Sequence, residues 1–312
     1  MPQEIELKLS LPPNQQDTLR QSPLLKNYAG PPPVKRHLLN TYFDSPEQRL
    51  NQHGVALRIR HQGEEYIQTL KTRGQSRGGL HQRNEWEWRL AAPQLAPEKL
   101  PAEALPPGLN PSTLVPAFTT DFMRITWNLD FPFNGQSAQV ELVLDVGEAR
   151  ADTLSDPISE IELELKDGPP EALFELAKQL AADVALRITR ISKAERGYRL
   201  RHPERARNLP PASNRAVDAT ATLERLQAVM ESYLFVDDPG LLQQLEQSLR
   251  ALKDTAGFAP EALGDELRAL HDALQRPDAE RRQVVLKWIN SRRLGLTLVT
   301  LAQALFEHRN DG

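Results

Sequence analysis

The chain has no cysteine. That removes disulfides, thiolate nucleophiles and every Cys-ligated zinc or iron–sulfur centre. No apolar run approaches the ~18 residues of a membrane span, so no membrane association is expected. The N-terminus, MPQEIELKLS, has neither a basic leader nor an apolar stretch. A secretory signal is therefore not expected, and the cytoplasm is the default address. Neither sign of charge dominates, with 38 Lys+Arg against 42 Asp+Glu and a net charge of −4. Generic nucleic-acid binding, which needs a basic excess to displace counterions, is not expected either. The seven histidines form no HExxH and no pair at metal spacing, and GxSxG, P-loop and GxGxxG motifs are absent. What remains is a 312-residue chain, 39% apolar and 26% charged, globular in composition and long enough for two domains.

Composition divides the chain near residue 210. Residues 1–200 alternate short strand-like segments with turns such as Gly30-Pro31-Pro32-Pro33 and Leu105-Pro106-Pro107-Gly108. Residues 201–216, polar and Pro-containing, read as a linker. From 217 to 312 helical spacing takes over: Leu223, Leu226, Met230 and Leu234, then Leu241, Leu245, Leu249 and Leu252, then Leu263, Leu267, Leu270 and Leu274, and a last apolar segment from Leu294 to Phe306. Asp238-Pro239 is a helix start signal. From Val217 onward there are 11 Lys+Arg against 15 Asp+Glu, which leaves the first region neutral.

The informative feature is the placement of charge on the strands. Successive side chains of a strand point to opposite faces. In Glu4-Ile5-Glu6-Leu7-Lys8-Leu9 one face carries Glu4, Glu6 and Lys8 and the other is apolar. Leu57–Arg60 puts Arg58 and Arg60 together, and Ile67–Lys71 puts Lys71 with Thr69. Arg83–Trp88 separates Arg83, Glu85 and Glu87 from two tryptophans. Val140–Asp145 aligns Glu141 with Asp145, and Ser159–Leu165 aligns Glu160, Glu162 and Glu164. Like charges two residues apart on a strand are about 7 Å apart and repel, so these faces call for cations opposite the glutamates. Two arrangements supply them. An open sheet can turn its charged face to water as a lattice of weak ion pairs. Alternatively, the strands close into a barrel with the charged face inside and the apolar face covered by helices, among them an amphipathic helix over 170–184. A charged interior is prohibitive unless it is wet and holds a charged ligand, so the second arrangement carries a function with it.

The same segments resemble the CYTH superfamily, the triphosphate tunnel metalloenzymes. Glu4-x-Glu6-x-Lys8 matches its signature. Gly54–Arg60, Thr69-Leu70-Lys71, Ser159–Leu165 and Ser192-Lys193-Ala194 follow in the family's order over residues 1–200. Gly78–Arg83, Thr120-Asp121-Phe122-x-Arg124-x-x-Trp127 and Ser192–Tyr198 are similar to the bacterial inorganic triphosphatase branch. The resemblance implies an α+β fold: an eight-stranded antiparallel β-barrel tunnel with a charged interior and covering helices, then a small all-α region. It implies hydrolysis of a linear triphosphate with Mg²⁺ or Mn²⁺, with Glu4, Glu6, Lys71 and Lys193 catalytic. Glu4, Glu6, Asp145, Glu160, Glu162 and Glu164 would serve the metal, without settling which of the last three bind it directly. Lys8, Arg58, Arg60, Lys71, Arg83, Arg124 and Lys193 would bind phosphate. Carboxylates suit hard Mg²⁺, arginines grip phosphate oxygens in pairs, and lysines act as point charges.

The family's bacterial triphosphatases often continue into a CHAD domain, a larger helical unit thought to bind polyphosphate. The tail here is short and acidic, so it reads as a shortened CHAD-like or unrelated bundle used as scaffold or for self-association. Its one basic stretch is Arg276, Arg281, Arg282, Lys287, Arg292 and Arg293. Three functions follow from the resemblance. They are an inorganic triphosphatase, a tunnel acting on thiamine triphosphate or nucleoside triphosphates (adenylate cyclase included), and a non-enzymatic phosphate or polyphosphate sensor. An organic substrate requires an apolar platform that the sequence does not locate.

Overall fold

The computed structural model describes residues 3–72, 74–77, 80–211, 218–257 and 259–308. Among the described residues ten strands form one antiparallel sheet: β1 (Gln3–Ser10), β2 (Val34–Asp44), β3 (Ala56–Gln62), β4 (Glu65–Lys71), β5 (Gln75–Arg77), β6 (Leu80–Leu90), β7 (Val115–Phe133), β8 (Gln136–Ala151), β9 (Leu154–Asp167) and β10 (Arg187–Ile188). Neighbours run β1-β9-β8-β7-β2-β3-β4-β6, and β6 pairs back onto β1 from Gln3↔Asn84 to Leu7↔Leu80. The circuit closes with the eight strands that the family resemblance implied, but the whole described sheet has ten. The two additions are short. β10 takes the edge of β1 beyond the reach of β6, at Leu9 and Ser10, and β5 lies along the start of β6. The long β7–β8 hairpin turns at Asn134-Gly135, both at positive φ, the pair of left-handed residues that a tight two-residue hairpin requires.

Closure decides between the two arrangements left open by the sequence. The charged faces turn inward and the apolar faces are covered from outside. Leu7, Leu9, Leu142, Leu144, Ile161 and Leu163 alternate with the charged positions and join the main apolar core. Over that wall lie the short helices α1 (Gln16–Arg20) and α2 (Pro23–Tyr28), and beyond α3 (Arg49–Gln52) in the chain comes α4 (Glu171–Asp183), whose Leu173, Leu176, Ala177 and Leu180 are fully buried. The opposite wall, with Leu57, Ile59 and Leu70, is covered by the segment carrying Leu100, Leu105, Leu109 and Leu114; Trp86 and Trp88 pack there. Each fully buried leucine of this kind contributes about 1.5–3 kcal/mol.

One end of the barrel is apolar inside. Leu38, Tyr42, Phe118, Phe122, Ile158 and Tyr198 form a separate cluster beneath α5 (Lys193–Arg201). Gly197 lets α5 seat there, because a Cβ at that position would run into the Phe118 ring. The phenol of Tyr198 donates to Asp44 at 2.6 Å, and Asp44 also accepts from the amides of Ser45, Leu50 and Asn51.

Residues 201–216, expected as a linker, begin in the last residue of α5 and include a 3-10 turn, Pro203–Arg207. Arg205 there reaches Glu195 at 3.1 Å; residues 212–217 lie outside the described residues. Among the described residues five helices follow: α6 (Ala219–Val236), α7 (Gly240–Thr255), α8 (Pro260–Leu274), α9 (Asp278–Ile289) and α10 (Arg292–His308). All but α9 were legible from apolar spacing. The apolar residues of α9, from Val284 to Ile289, run almost contiguously and show little helical periodicity. The side chain of Asp238 accepts from the Gly240 amide at 2.9 Å, as its start signal predicted. The helices do not stand apart, because their buried residues continue the core of the barrel's outer wall. Phe306 meets Phe174 at 5.1 Å between ring centroids. Gly295 of α10 rides directly over the carbonyl of Leu186, where a Cβ could not fit. No helix among the described residues is long and apolar enough to cross a membrane.

Candidate active site

Strand register converts the period-two charge pattern into rows across the barrel wall. Glu6 of β1 stands opposite Glu164 of β9, which stands opposite Glu141 of β8. One step along, Lys8 faces Glu162. Further on, Glu160, Asp145 and Arg124 align across β9, β8 and β7. On the other wall Tyr42 pairs with Arg58, Arg58 with Thr69, and Lys71 with Glu85. The rows enclose a cavity of about 480 Å³ lined by Glu4, Lys8, Tyr42, Ala56, Arg58, Arg60, Thr69, Lys71, Glu85, Glu87, Arg124, Glu141, Glu162, Glu164, Lys166, Ser192, Lys193 and Ala194.

Most acids in it already have a cation. Lys193, the first residue of α5, extends its ammonium to Glu160 at 2.5 Å, Asp145 at 2.6 Å and Glu162 at 3.0 Å. Arg124 grips Asp145 with two hydrogen bonds, at 2.8 and 2.6 Å, and reaches Glu162 at 2.7 Å. Lys8 reaches Glu162 at 3.0 Å and Glu6 at 3.5 Å. Lys71 bridges Glu4 at 3.1 Å and Glu85 at 2.8 Å. Burial alone would raise the carboxyl of Glu162, but Lys193, Lys8 and Arg124 outweigh it and hold it well below the usual range. Asp145 is likewise buried yet lowered, by Arg124 and Lys193. Lys193 is raised despite its burial, by Asp145, Glu160 and Glu162.

Two positions have the opposite imbalance. No ion pair joins Arg58 or Arg60 to a carboxylate among the described residues. Among the described residues Arg60 donates only to the side-chain oxygen of Asn40, at 3.2 Å, and the buried Nε of Arg58 meets no hydrogen-bond partner. Burial, then the charges of Arg58 and Arg124, push the Arg60 guanidinium down to about 9. Arg58 and Arg124 thus press on Arg60 in an enclosed cavity, a repulsion that an anion would relieve, while Arg58 itself is raised against its burial by Tyr42 and Glu85. At Glu164 the excess is negative: burial raises its carboxyl, and Glu4 and Glu141 add to the rise although Lys166 opposes it.

A divalent cation needs hard oxygen donors with charge to spare. Asp145, Glu160 and Glu162 offer oxygens within 4.8 Å of one another, but the ammonium of Lys193 lies among them. At Glu164, by contrast, burial raises the carboxyl and the repulsion of Glu4 and Glu141 adds to the rise, so a cation there would relieve both.

Of the residues expected from the sequence, Glu4, Lys8, Arg58, Arg60, Lys71, Arg124, Glu162, Glu164 and Lys193 line one cavity. Glu6, Asp145 and Glu160 are almost wholly buried beside it. Arg83 pairs with Glu4 in the sheet, and its side chain lies outside the described residues, as do Gly78 and Gly79 and the side chain of His81. The sequence pointed to Glu85, Glu87 and Glu141 as sharing this face, and they line it too. Tyr42 and Lys166 went unnoticed, and Ser192 was named only as part of the Ser192-Lys193-Ala194 motif. Tyr42 was traceable in principle, because it shares a strand face with Asn40 and Asp44.

A family model described as the CYTH domain matches residues 2–198. The inorganic triphosphatase of Haemophilus influenzae is 37% identical over 210 residues, 64% of this chain and 55% of that protein, so the chain spans about half the length of this relative. Among solved structures, similarity extends to a Hippeastrum protein, a proposed adenylyl cyclase with a dominant triphosphatase activity, at 20% identity and a TM-score of 0.46 over 64% of this chain and 96% of that one. It extends also to an inorganic triphosphatase at 20% identity and a TM-score of 0.22, over 53% of this chain and 74% of that one.

Proposed function

This chain belongs to the CYTH domain family, and from that premise we propose that it hydrolyses inorganic triphosphate to diphosphate and phosphate inside the barrel, with Mg²⁺ or Mn²⁺. The observation that carries the proposal is the convergence of Arg58, Arg60 and Arg124 in an ionic cavity where the first two have no carboxylate partner among the described residues. Such a place takes a compact polyanion, because each phosphate oxygen it brings replaces repulsion among cations with charge-assisted hydrogen bonds. Arg58, Arg60 and Arg124 grip the substrate, and Lys8, Lys71 and Lys193 supply point charges along it. Phosphoryl transfer demands mainly positioning and charge stabilisation, and all of these groups but Lys193, at the start of α5, are held on strands of the barrel wall.

Among the described residues the lining has seven bases and six acids, and the adjoining Glu6, Asp145 and Glu160 with Arg196 bring the totals to nine acids and eight bases. A polyanion entering alone meets that excess of carboxylate. Glu4, Glu6, Glu162 and Glu164 are the groups that would hold the metal, with Asp145 and Glu160 chiefly fixing Lys193. A divalent ion there supplies charge neutralisation and makes water more acidic. A lone phosphate binder has little use for so many carboxylates near its ligand, which favours an enzyme over a sensor.

The lining also favours an inorganic substrate. Its less polar members are Tyr42, Ala56 and Ala194, and the Tyr42 ring is engaged on Phe118 at 4.8 Å between centroids. None of these offers a free platform for a base or a thiazolium ring. The lack of cysteine suits a cytoplasmic setting. The deciding measurement is phosphate release from tripolyphosphate, ATP and thiamine triphosphate with Mg²⁺, beside a Glu4→Gln/Glu6→Gln variant. Turnover of tripolyphosphate above the others, lost in the variant, is expected. Binding without turnover of any of the three in the unaltered protein would select the sensor.

A further inference from the structure

A buried carboxylate of the helical tail touches the chain just before the site lysine of α5. Glu231 on α6 is 7% exposed. One of its oxygens accepts from the hydroxyl of Thr189 at 2.6 Å and from the amide of Arg190 at 2.7 Å. The Thr189 amide donates to the carbonyl of Lys8 at 3.0 Å. Its hydroxyl oxygen also accepts from the Ile191 amide, at 3.3 Å. Ser192 then caps α5 by accepting from the Glu195 amide at 3.0 Å, and Lys193 begins the helix.

The position of Lys193 needs outside support. A cation at a helix N-terminus opposes the helix dipole, and this one is buried. Its place depends on where the backbone of 189–192 lies, and that segment is too short to form a structure of its own. β10 beside it is two residues long. The tail holds this segment at several points. Besides Glu231, Arg190 reaches Glu224 of α6 at 3.2 Å, and Arg187 reaches Asn290 at the end of α9 at 3.0 Å. Gly295 of α10 lies on the carbonyl of Leu186. One turn after Lys193, Arg196 lies 2.7 Å from Asp156 and 3.8 Å from Glu160, the carboxylate that also takes Lys193. The charge of Glu231 reinforces that of Arg196.

We propose that Glu231 is a positioning residue for the triphosphate site: through Thr189 and Arg190 it fixes the backbone between Lys8 and Lys193, so that the helical tail completes the geometry of a barrel it does not line. The consequence for turnover rests on the triphosphatase reading; the consequence for backbone order does not. A displaced lysine weakens both the bound state and the transition state, so kcat falls and KM rises together.

The test uses the full chain with tripolyphosphate and Mg²⁺. Glu231→Ala and Thr189→Val should lower kcat/KM by roughly 10- to 100-fold, the scale of a sub-ångström to 1 Å misplacement. Glu231→Gln keeps an oxygen that accepts both bonds and should recover most of the loss. Glu266 is the control. It is a buried carboxylate of α8 that accepts from Trp288 of α9 at 2.8 Å and from Arg293 of α10 at 2.6 Å, and among the described residues it bonds none of segment 186–193. Glu266→Ala should lower the melting temperature yet keep kcat and KM well below melting. Wild-type kinetics in Glu231→Ala and Thr189→Val, or an equal loss in Glu266→Ala, would overturn the proposal. Amide hydrogen exchange provides a readout free of activity: protection of Thr189, Arg190 and Ile191 should fall in Glu231→Ala. Should the unaltered protein release no phosphate, the triphosphatase reading fails by itself, and unchanged protection at those amides would then refute the positioning role.

Discussion

The ammonium of Lys193 lies 2.5 Å from a carboxylate oxygen of Glu160, with both side chains 5% exposed or less. The two residues are 33 positions apart, one on a strand and one at a helix start. Their contact joins the end of the barrel closed by α5 to the acidic wall of β9. Removing one partner of a buried ion pair costs about 3–5 kcal/mol, because it leaves the other charge uncompensated. Lys193→Met should therefore lower stability by about that amount and abolish turnover of tripolyphosphate. Thermal unfolding and phosphate release measure the two effects on one preparation.

Arg60 should behave in the opposite way. Its charge is crowded by Arg58 and Arg124 and has no carboxylate partner among the described residues. Arg60→Ala should leave the ligand-free protein as stable as before, or more so, while raising KM for tripolyphosphate about tenfold or more, the ~1.5–3 kcal/mol of a charged hydrogen bond. Both KM and kcat should suffer, since phosphate charge is held in ground and transition states alike. An unchanged KM would remove Arg60 from the substrate site.

Chelation should separate activity from folding. Lys8, Lys71, Lys166 and Lys193 already pair with the inner carboxylates, so a divalent ion is not needed to hold the wall together. EDTA should end phosphate release while shifting the melting temperature only slightly, and Mg²⁺ or Mn²⁺ should restore turnover. A large loss of stability on chelation would mean that the ion is structural.

The acid limb of stability follows from carboxyls shifted in two directions. Arg124 and Lys193 overcome burial to hold Asp145 below its ordinary value, and Lys193, Lys8 and Arg124 do the same for Glu162. The unfolded chain takes up their protons first as the pH falls, so the stability they provide is present above roughly pH 4–4.5 and is lost progressively below it. Glu85 and Glu164, raised by burial and by neighbouring carboxylates, act with the opposite sign: what they add is fullest in acid and declines as the pH rises through their raised values. Asp145→Asn should be less stable at pH 7 yet lose less between about pH 5 and 3, as urea unfolding across that range would show.

Gly197→Ala should reach the site without touching it. A methyl there meets the Phe118 ring, and α5 must move away with Lys193 at its start. Overpacking of this kind costs about 1–3 kcal/mol. The expected result is a lower melting temperature together with a fall in kcat that persists well below melting. A loss of stability with full turnover would show that the ring gives way instead of the helix.

Much of the site was legible in advance because a strand has a period of two. That period alone puts Glu4, Glu6 and Lys8 on one face and Glu160, Glu162 and Glu164 on another, whatever the strands pair with. The apolar spacing of four tail helices and the cap at Asp238 are local in the same sense. α9 escaped because its apolar residues are nearly contiguous, and β5 and β10 because strands of three and two residues carry no pattern.

The sequence by itself determined which residues share a face and that six of those faces are ionic, since both follow from neighbours in the chain. Only the tertiary structure decided that the faces turn inward. Closing β6 onto β1 joins segments some 77 residues apart, and no local periodicity encodes such a pairing. The structure also decided that Lys193 fills the cluster of Asp145, Glu160 and Glu162, that Arg58 and Arg60 have no carboxylate partner among the described residues, and that Glu231 holds the backbone ahead of α5. Each of these depends on distances between strands and helices remote in sequence. Those distances are set by closing the barrel and by burying its outer face under the helices.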